Sequence, residues 1–149
     1  MSTVTITIND SDLRRGLRAL ESAAADMTPA MRQIAGTLHA ETDINFDEGG
    51  RPEWMVSQAA EDRSGQTLRN TGRLQGSVST EYDASRAMVG TNTVYAAIHQ
   101  FGGKTGRNKS LELPARPYLP VDDSGNLSPD AVNSVLDTIQ RHLESAAQR

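Results

Sequence analysis

The stretch from Tyr95 to Leu119 limits the folding of this chain more than any other. It begins with an apolar helical turn, Tyr95-Ala96-Ala97-Ile98-His99-Gln100-Phe101, that must stop at Gly102-Gly103 because paired glycines release the chain from a helix. A basic, Gly-containing segment follows, and then Pro114-Ala115-Arg116-Pro117-Tyr118-Leu119. Each proline fixes its own φ and restrains the residue before it, so this last piece must be extended and must present Arg116 in a set direction. A short helix that leaves the body and a stiff strap that returns to it make a packing device, with Tyr95, Ile98 and Phe101 as expected anchors. Nothing in the block has the make-up of a catalyst.

Around this block the periodicities predict an α+β fold. Residues 3–8, Thr-Val-Thr-Ile-Thr-Ile, alternate with the period of a half-buried strand. Asp10 or Ser11 can cap a helix whose Leu13, Leu17 and Leu20 share a face. Thr28-Pro29 opens a second helix, lined by Met31, Ile34, Ala35, Leu38 and Thr42 and expected to end near Asn45. Asp47 to Arg69 reads as a long polar loop with a short helix near Gln58 to Arg63, and Asn70 to Leu74 as a capped turn. Loops longer than about 12–15 residues inside a compact domain usually bind something. Residues 77–82 and 86–91 pair as a hairpin through Asp83-Ala84-Ser85. Ser128-Pro129 starts a final helix with Val132, Val135, Leu136, Ile139, Leu143 and Ala146 on one stripe. The expected architecture is a single domain over residues 1–149, with a small antiparallel sheet packed against two or three helices and long extended loops. With 36 % hydrophobic and only 4 % aromatic residues the core is thin, which leaves apolar surface to be buried against partners.

The composition also excludes chemistries. There is no cysteine, so thiolate and disulfide chemistry are absent. No run approaches the roughly 20 apolar residues of a membrane helix, and the N-terminus lacks a signal-peptide pattern. A soluble protein made in a cytoplasm is expected. A net charge of -4 argues against coating duplex DNA. Gly103-Lys104-Thr105 resembles the end of a phosphate-binding loop, but that pattern needs glycine where this chain has Ile98. His39 and Asp43 stand one helical turn apart and, with His99, are the residues a small metal-dependent hydrolase would have to use. Glu41, between them, should point elsewhere, and His142 reads as a helix-flank residue. No Gly-x-Ser-x-Gly elbow occurs, and Asp47-Glu48, Glu61-Asp62 and Asp122-Asp123 read as solvated turn residues. No cofactor is implied. Between Gly102 and Arg116, Lys104, Arg107, Lys109 and Arg116 face only Glu112, so a nucleic-acid-binding module using this loop is the alternative reading. It lacks the interleaved aromatics of single-strand binders, which favours a protein partner. Trp54, the sole tryptophan, either plugs the core or anchors an interface.

Four blocks carry a resemblance. They are Phe46 through Gly49-Gly50-Arg51-Pro52-x-Trp54; Leu68-x-x-Thr71-Gly72-x-Leu74-x-x-Ser77; Val89-Gly90-Thr91-Asn92 leading to Tyr95–Gly103; and Leu113 to Leu119. In this order they resemble the phage virion morphogenesis, or tail-completion, family of Mu-like tailed phages. The resemblance implies a structural virion protein, without enzymatic activity or small-molecule substrate, that completes the tail or joins it to the head as a neck or tail-terminator ring. It implies a homo-oligomer, with a hexamer favoured, contacts to other tail or neck proteins, packaged DNA nearby, and no membrane. Arg51, Trp54, His99, Gln100, Phe101, Lys104, Arg107, Lys109 and Arg116 become the interface candidates, with Thr71 and Gly72 as further fold-shaping or contact positions. The two polar segments, 47–69 and 102–116, are expected to supply inter-subunit or tail-tube contacts.

Overall fold

A computed structural model describes residues 11–69, 71–122, 124 and 126–148; the strand expected at 3–8 lies outside them. The fold is α+β. In order it contains α1 (Ser11–Ala25), α2 (Thr28–Glu48), α3 (Gln58–Asp62), α4 (Arg73–Gly76), β1 (Ser79–Tyr82), β2 (Ala87–Gly90), α5 (Ala96–Phe101), β3 (Gly103–Thr105), a 3-10 turn (Arg107–Lys109), β4 (Leu111–Leu113) and α6 (Pro129–Ala147).

The long helix α2 is the spine. Proline stands in its first turn, where a missing amide hydrogen costs nothing. Its C-terminus lies at Glu48 rather than near Asn45, because Gly49 is the first residue to turn left-handed, at φ 74°, and Gly50 N donates to Asn45 O at 2.7 Å. Phe46 therefore does not end the helix but stays in it, almost wholly buried. Ala35, Leu38, Thr42, Asn45 and Phe46 are buried at helical spacing, and α2 packs on α6 on one side and on the β1–β2 hairpin on the other. The α2–α6 contact is partly polar: Thr37 Oγ1 and Thr138 Oγ1 are 2.6 Å apart, and Ser134 Oγ donates to Glu41. Helix α6 begins as its sequence requires, with Ser128 Oγ accepting from Ala131 N.

Helix α1 lies on α6, and Gly16 permits an approach in which an added Cβ would sit 3.4 Å from Ala147 O. Its expected apolar stripe is not buried within the single chain: Leu13 and Leu17 are 64 % and 56 % exposed, and only Leu20 is partly covered.

The sheet is divided. β1 and β2 pair antiparallel with Ser79 opposite Gly90 and Tyr82 opposite Ala87. Their turn is held by Asp83 Oδ1, which accepts from the Ser85 and Arg86 amides; these bonds, led by that of Ser85, hold its carboxyl below the usual range. The segment expected as an extended basic loop after Gly102 is instead a second hairpin, with Gly103 opposite Leu113 and Thr105 opposite Leu111.

The core gathers Phe46, Trp54, Leu74, Val78, Ala96 and Tyr118. Trp54 meets Phe46 edge-on at 6.0 Å between centroids, and Tyr118 lies 5.3 Å from the same ring. Trp54 Nε1 donates to Pro117 O at 3.0 Å and Tyr118 OH to Ala96 O at 2.9 Å. Burial raises the Tyr118 hydroxyl to about 12. The segment 47–69, expected to reach outward, thus contributes Trp54 and Ala60 to the interior.

Candidate functional site

The strap 114–119 is gripped by its backbone. Gln100 Oε1 accepts from both Tyr118 N (3.1 Å) and Leu119 N (2.9 Å), while Asn45 Nδ2 donates to Tyr118 O at 2.8 Å. Arg116 N donates to His99 O and Arg116 Nε to Met55 O, each at 2.8 Å. Gly102 makes the crossing feasible: at φ 72° a Cβ here would lie 2.6 Å from Ala115 N and 2.8 Å from Leu113 O. Arg51 fixes the other end of the node, donating from Nε to Asn45 Oδ1 (2.8 Å) and from Nη2 to Glu41 Oε2 (2.6 Å), with Asp130 at 3.7 Å. Glu41 is therefore buried and paired.

The nine interface candidates separate accordingly. Trp54, Gln100 and Arg116 are buried and Arg51 nearly so, so in the single chain they build the node rather than the surface. Of the two alternatives for Trp54, the fold places it in the core. Phe101, Lys104, Arg107 and Lys109 lie together in sequence on the end of α5 and on the second hairpin, and all are exposed. Phe101, expected as an anchor of α5, is 70 % exposed; Ala96 and Gln100 are the residues that α5 buries. His99 is intermediate, with its ring edge-on to Tyr95 at 5.8 Å. Its Nδ1 is buried without a hydrogen-bond partner, and burial, followed by the charge of Arg116, lowers its pKa.

His39 Nδ1 lies 3.2 Å from Asp43 Oδ2, but among the described residues no group of three His, Asp or Glu could hold a metal ion. His142, expected on a helix flank, is buried with Nε2 unpartnered. Among the described residues no helix is long and apolar enough to cross a membrane.

What remains at the surface is a set of apolar side chains that a chain this short of hydrophobic residues would not waste. Val94, Met55 and Phe101 are 100 %, 70 % and 70 % exposed, and Leu111 stands beside the hairpin cations. Sequence reasoning passed over Met55, Val56, Val94 and Leu111. The signal available was an apolar pair directly after Trp54 and the alternation Leu111-Glu112-Leu113.

The molecule is thus an α+β chain with a tightly braced interior and several uncovered apolar residues. The chain belongs to the phage virion morphogenesis family, whose model matches residues 8–144, and so has a structural or assembly role in a phage particle. Among individual proteins it is similar to the Mu-like prophage FluMu G protein 2 of Haemophilus influenzae, at 39 % identity over 95 % of this chain and 96 % of that one. It is also similar to the putative capsid assembly protein G of Escherichia phage Mu, at 31 % identity over 79 % of this chain and 80 % of that one. No solved structure matches it significantly.

Proposed function

We propose that this protein is a non-enzymatic structural subunit of the virion that completes the tail or joins it to the head, working as a closed ring in the neck or at the tail terminus, with a hexamer favoured. The observation that carries the reading is the contrast between the node and the surface. Interior polar groups are bonded in detail around the strap, whereas Phe101, Leu111, Val94 and Met55 are left in water. Burying such residues against a neighbour recovers roughly 25 cal/mol per Å² of apolar surface. Ring subunits meet through two different surfaces, and closure of the rotation stops open polymerisation. The second hairpin, with Lys104, Arg107 and Lys109, supplies one surface, and its cations suit an acidic neighbour or the packaged DNA close by. The exposed Leu13 and Leu17 of α1 supply apolar area for another. The whole chain acts as one domain, in contact with other tail or neck proteins, without cofactor. Mass measurement of the purified protein, alone and with tail tubes, tests this together with electron microscopy of the head–tail junction. A ring at that junction is the expected result; a strict monomer that never associates with tails overturns it.

A further inference from the structure

A cleft of about 440 Å³ opens where α5, the strap and the segment 57–74 meet, and it is lined by Arg63, Arg73, Arg116 and His99 but by no aspartate or glutamate. Arg116 is the unusual member. It is only 6 % exposed, its Nε is bonded to Met55 O, and neither Nη group has a partner among the described residues. No carboxylate lies within ion-pair distance of Arg63, Arg73 or Arg116 among the described residues, whereas the other two half-buried arginines among them, Arg51 and Arg69, are both paired. The Nη groups are not sealed in the interior but open to the cleft, and a partly desolvated guanidinium without a counter-charge gains from an incoming anion. His99, on the same wall, adds no negative charge to compensate it. The remaining wall sets Ser57 and Thr71 beside the apolar Leu68, Leu74, Tyr95 and Leu113.

We propose that this cleft is a carboxylate-binding site that receives a Glu- or Asp-bearing segment of a neighbouring protein, its carboxylate on the Arg116 and Arg73 guanidiniums and its apolar flank against Leu68 and Tyr95. Guanidinium forks match carboxylates in two parallel hydrogen bonds. A nucleic-acid backbone is the poorer fit, because phosphate binding uses cations spaced along an open surface, and the exposed Lys104, Arg107 and Lys109 do not line the cleft. The assembly role enters only in making a protein the source of the carboxylate.

The test is a titration of the isotope-labelled full chain with a blocked pentapeptide, Ser-Leu-Glu-Leu-Ser, and with the same peptide carrying Gln for Glu. The His99 ring and arginine Nε–H resonances are followed. The Glu peptide is expected to move them saturably and to bind at least tenfold more tightly than the Gln peptide. Arg73→Gln, at an exposed position, should weaken binding at least fivefold with an unchanged melting temperature. Equal binding of the two peptides, or no binding, overturns the proposal, as does tighter binding of inorganic phosphate or a single-stranded oligonucleotide than of the Glu peptide. Because the free chain is used, these outcomes stand apart from the tail-association measurement: a chain can bind the Glu peptide and fail to join tails, or the reverse.

Discussion

Replacing Gln100 by Met isolates the grip on the strap. Met is close to Gln in length and volume, so no cavity opens, but the acceptor of two backbone amides is lost. Tyr118 is fully buried, so its amide is left unsatisfied, at about 1–3 kcal/mol. Leu119 is only partly buried, so water can reach its amide and the second loss lies near the lower end of that range. Together they give about 2–4 kcal/mol, which for a chain of 149 residues lowers the melting temperature by roughly 4–16 °C at about 2–4 °C per kcal/mol. Urea unfolding followed by the fluorescence of Trp54, the sole tryptophan and part of the same core, reads the loss directly. Hydrogen exchange locates it: the Tyr118 and Leu119 amides should exchange faster than neighbouring core amides once the global change is subtracted. A loss under about 1 kcal/mol, or uniform exchange across the node, would refute the reasoning.

Gly102→Ala should destabilise by at least about 2 kcal/mol, since it combines a strained backbone with a collision against the strap, whereas Gly36→Ala, in open space within α2, should stabilise by about 0.5–1 kcal/mol; paired urea curves check both. His99 makes stability pH-dependent. Its folded pKa is lowered, chiefly by burial, so the unfolded chain binds the extra proton first; this stabilisation is full above about 6.5 and is lost as pH falls through the folded value. Thermal melts of wild type and His99→Gln between about pH 5 and 7 should differ in slope, and parallel curves would refute the assignment. Phe101→Ser together with Leu111→Ser should reduce self-association by tenfold or more while leaving the melting temperature of the dissociated chain nearly unchanged, as sedimentation measured over a concentration series would show.

The parts legible in the sequence are those with long periods or strong punctuation. Helices α2 and α6 each carry a proline in the first turn and a sustained apolar spacing, and the β1–β2 hairpin has Asp83 to fix its turn. The second hairpin escaped because strands of three residues carry too few alternations to register, and its Gly-rich, cationic composition reads as a loop. The buried place of Arg51 depends on Glu41, ten residues earlier on α2 and outside its apolar spacing, so no local pattern announces the pair. Trp54 was ambiguous for a similar reason: its partner is the carbonyl of Pro117, brought near only by the fold. For the candidate site, the sequence marks a stretch of chain but not the division within it. Gln100 points inward and Phe101 outward, although they are adjacent.

The strap's main chain is held by side chains that come from α2, α5 and the Trp54 segment, and its own Arg116 and Tyr118 side chains are buried and bonded as well. Of the strap's residues only Ala115 has an exposed side chain, so a change there leaves in place the attachment made by Asn45, Trp54 and Gln100. What the strap presents at position 115 can thus be altered without loosening its hold, which separates what the surface offers from what keeps the fold.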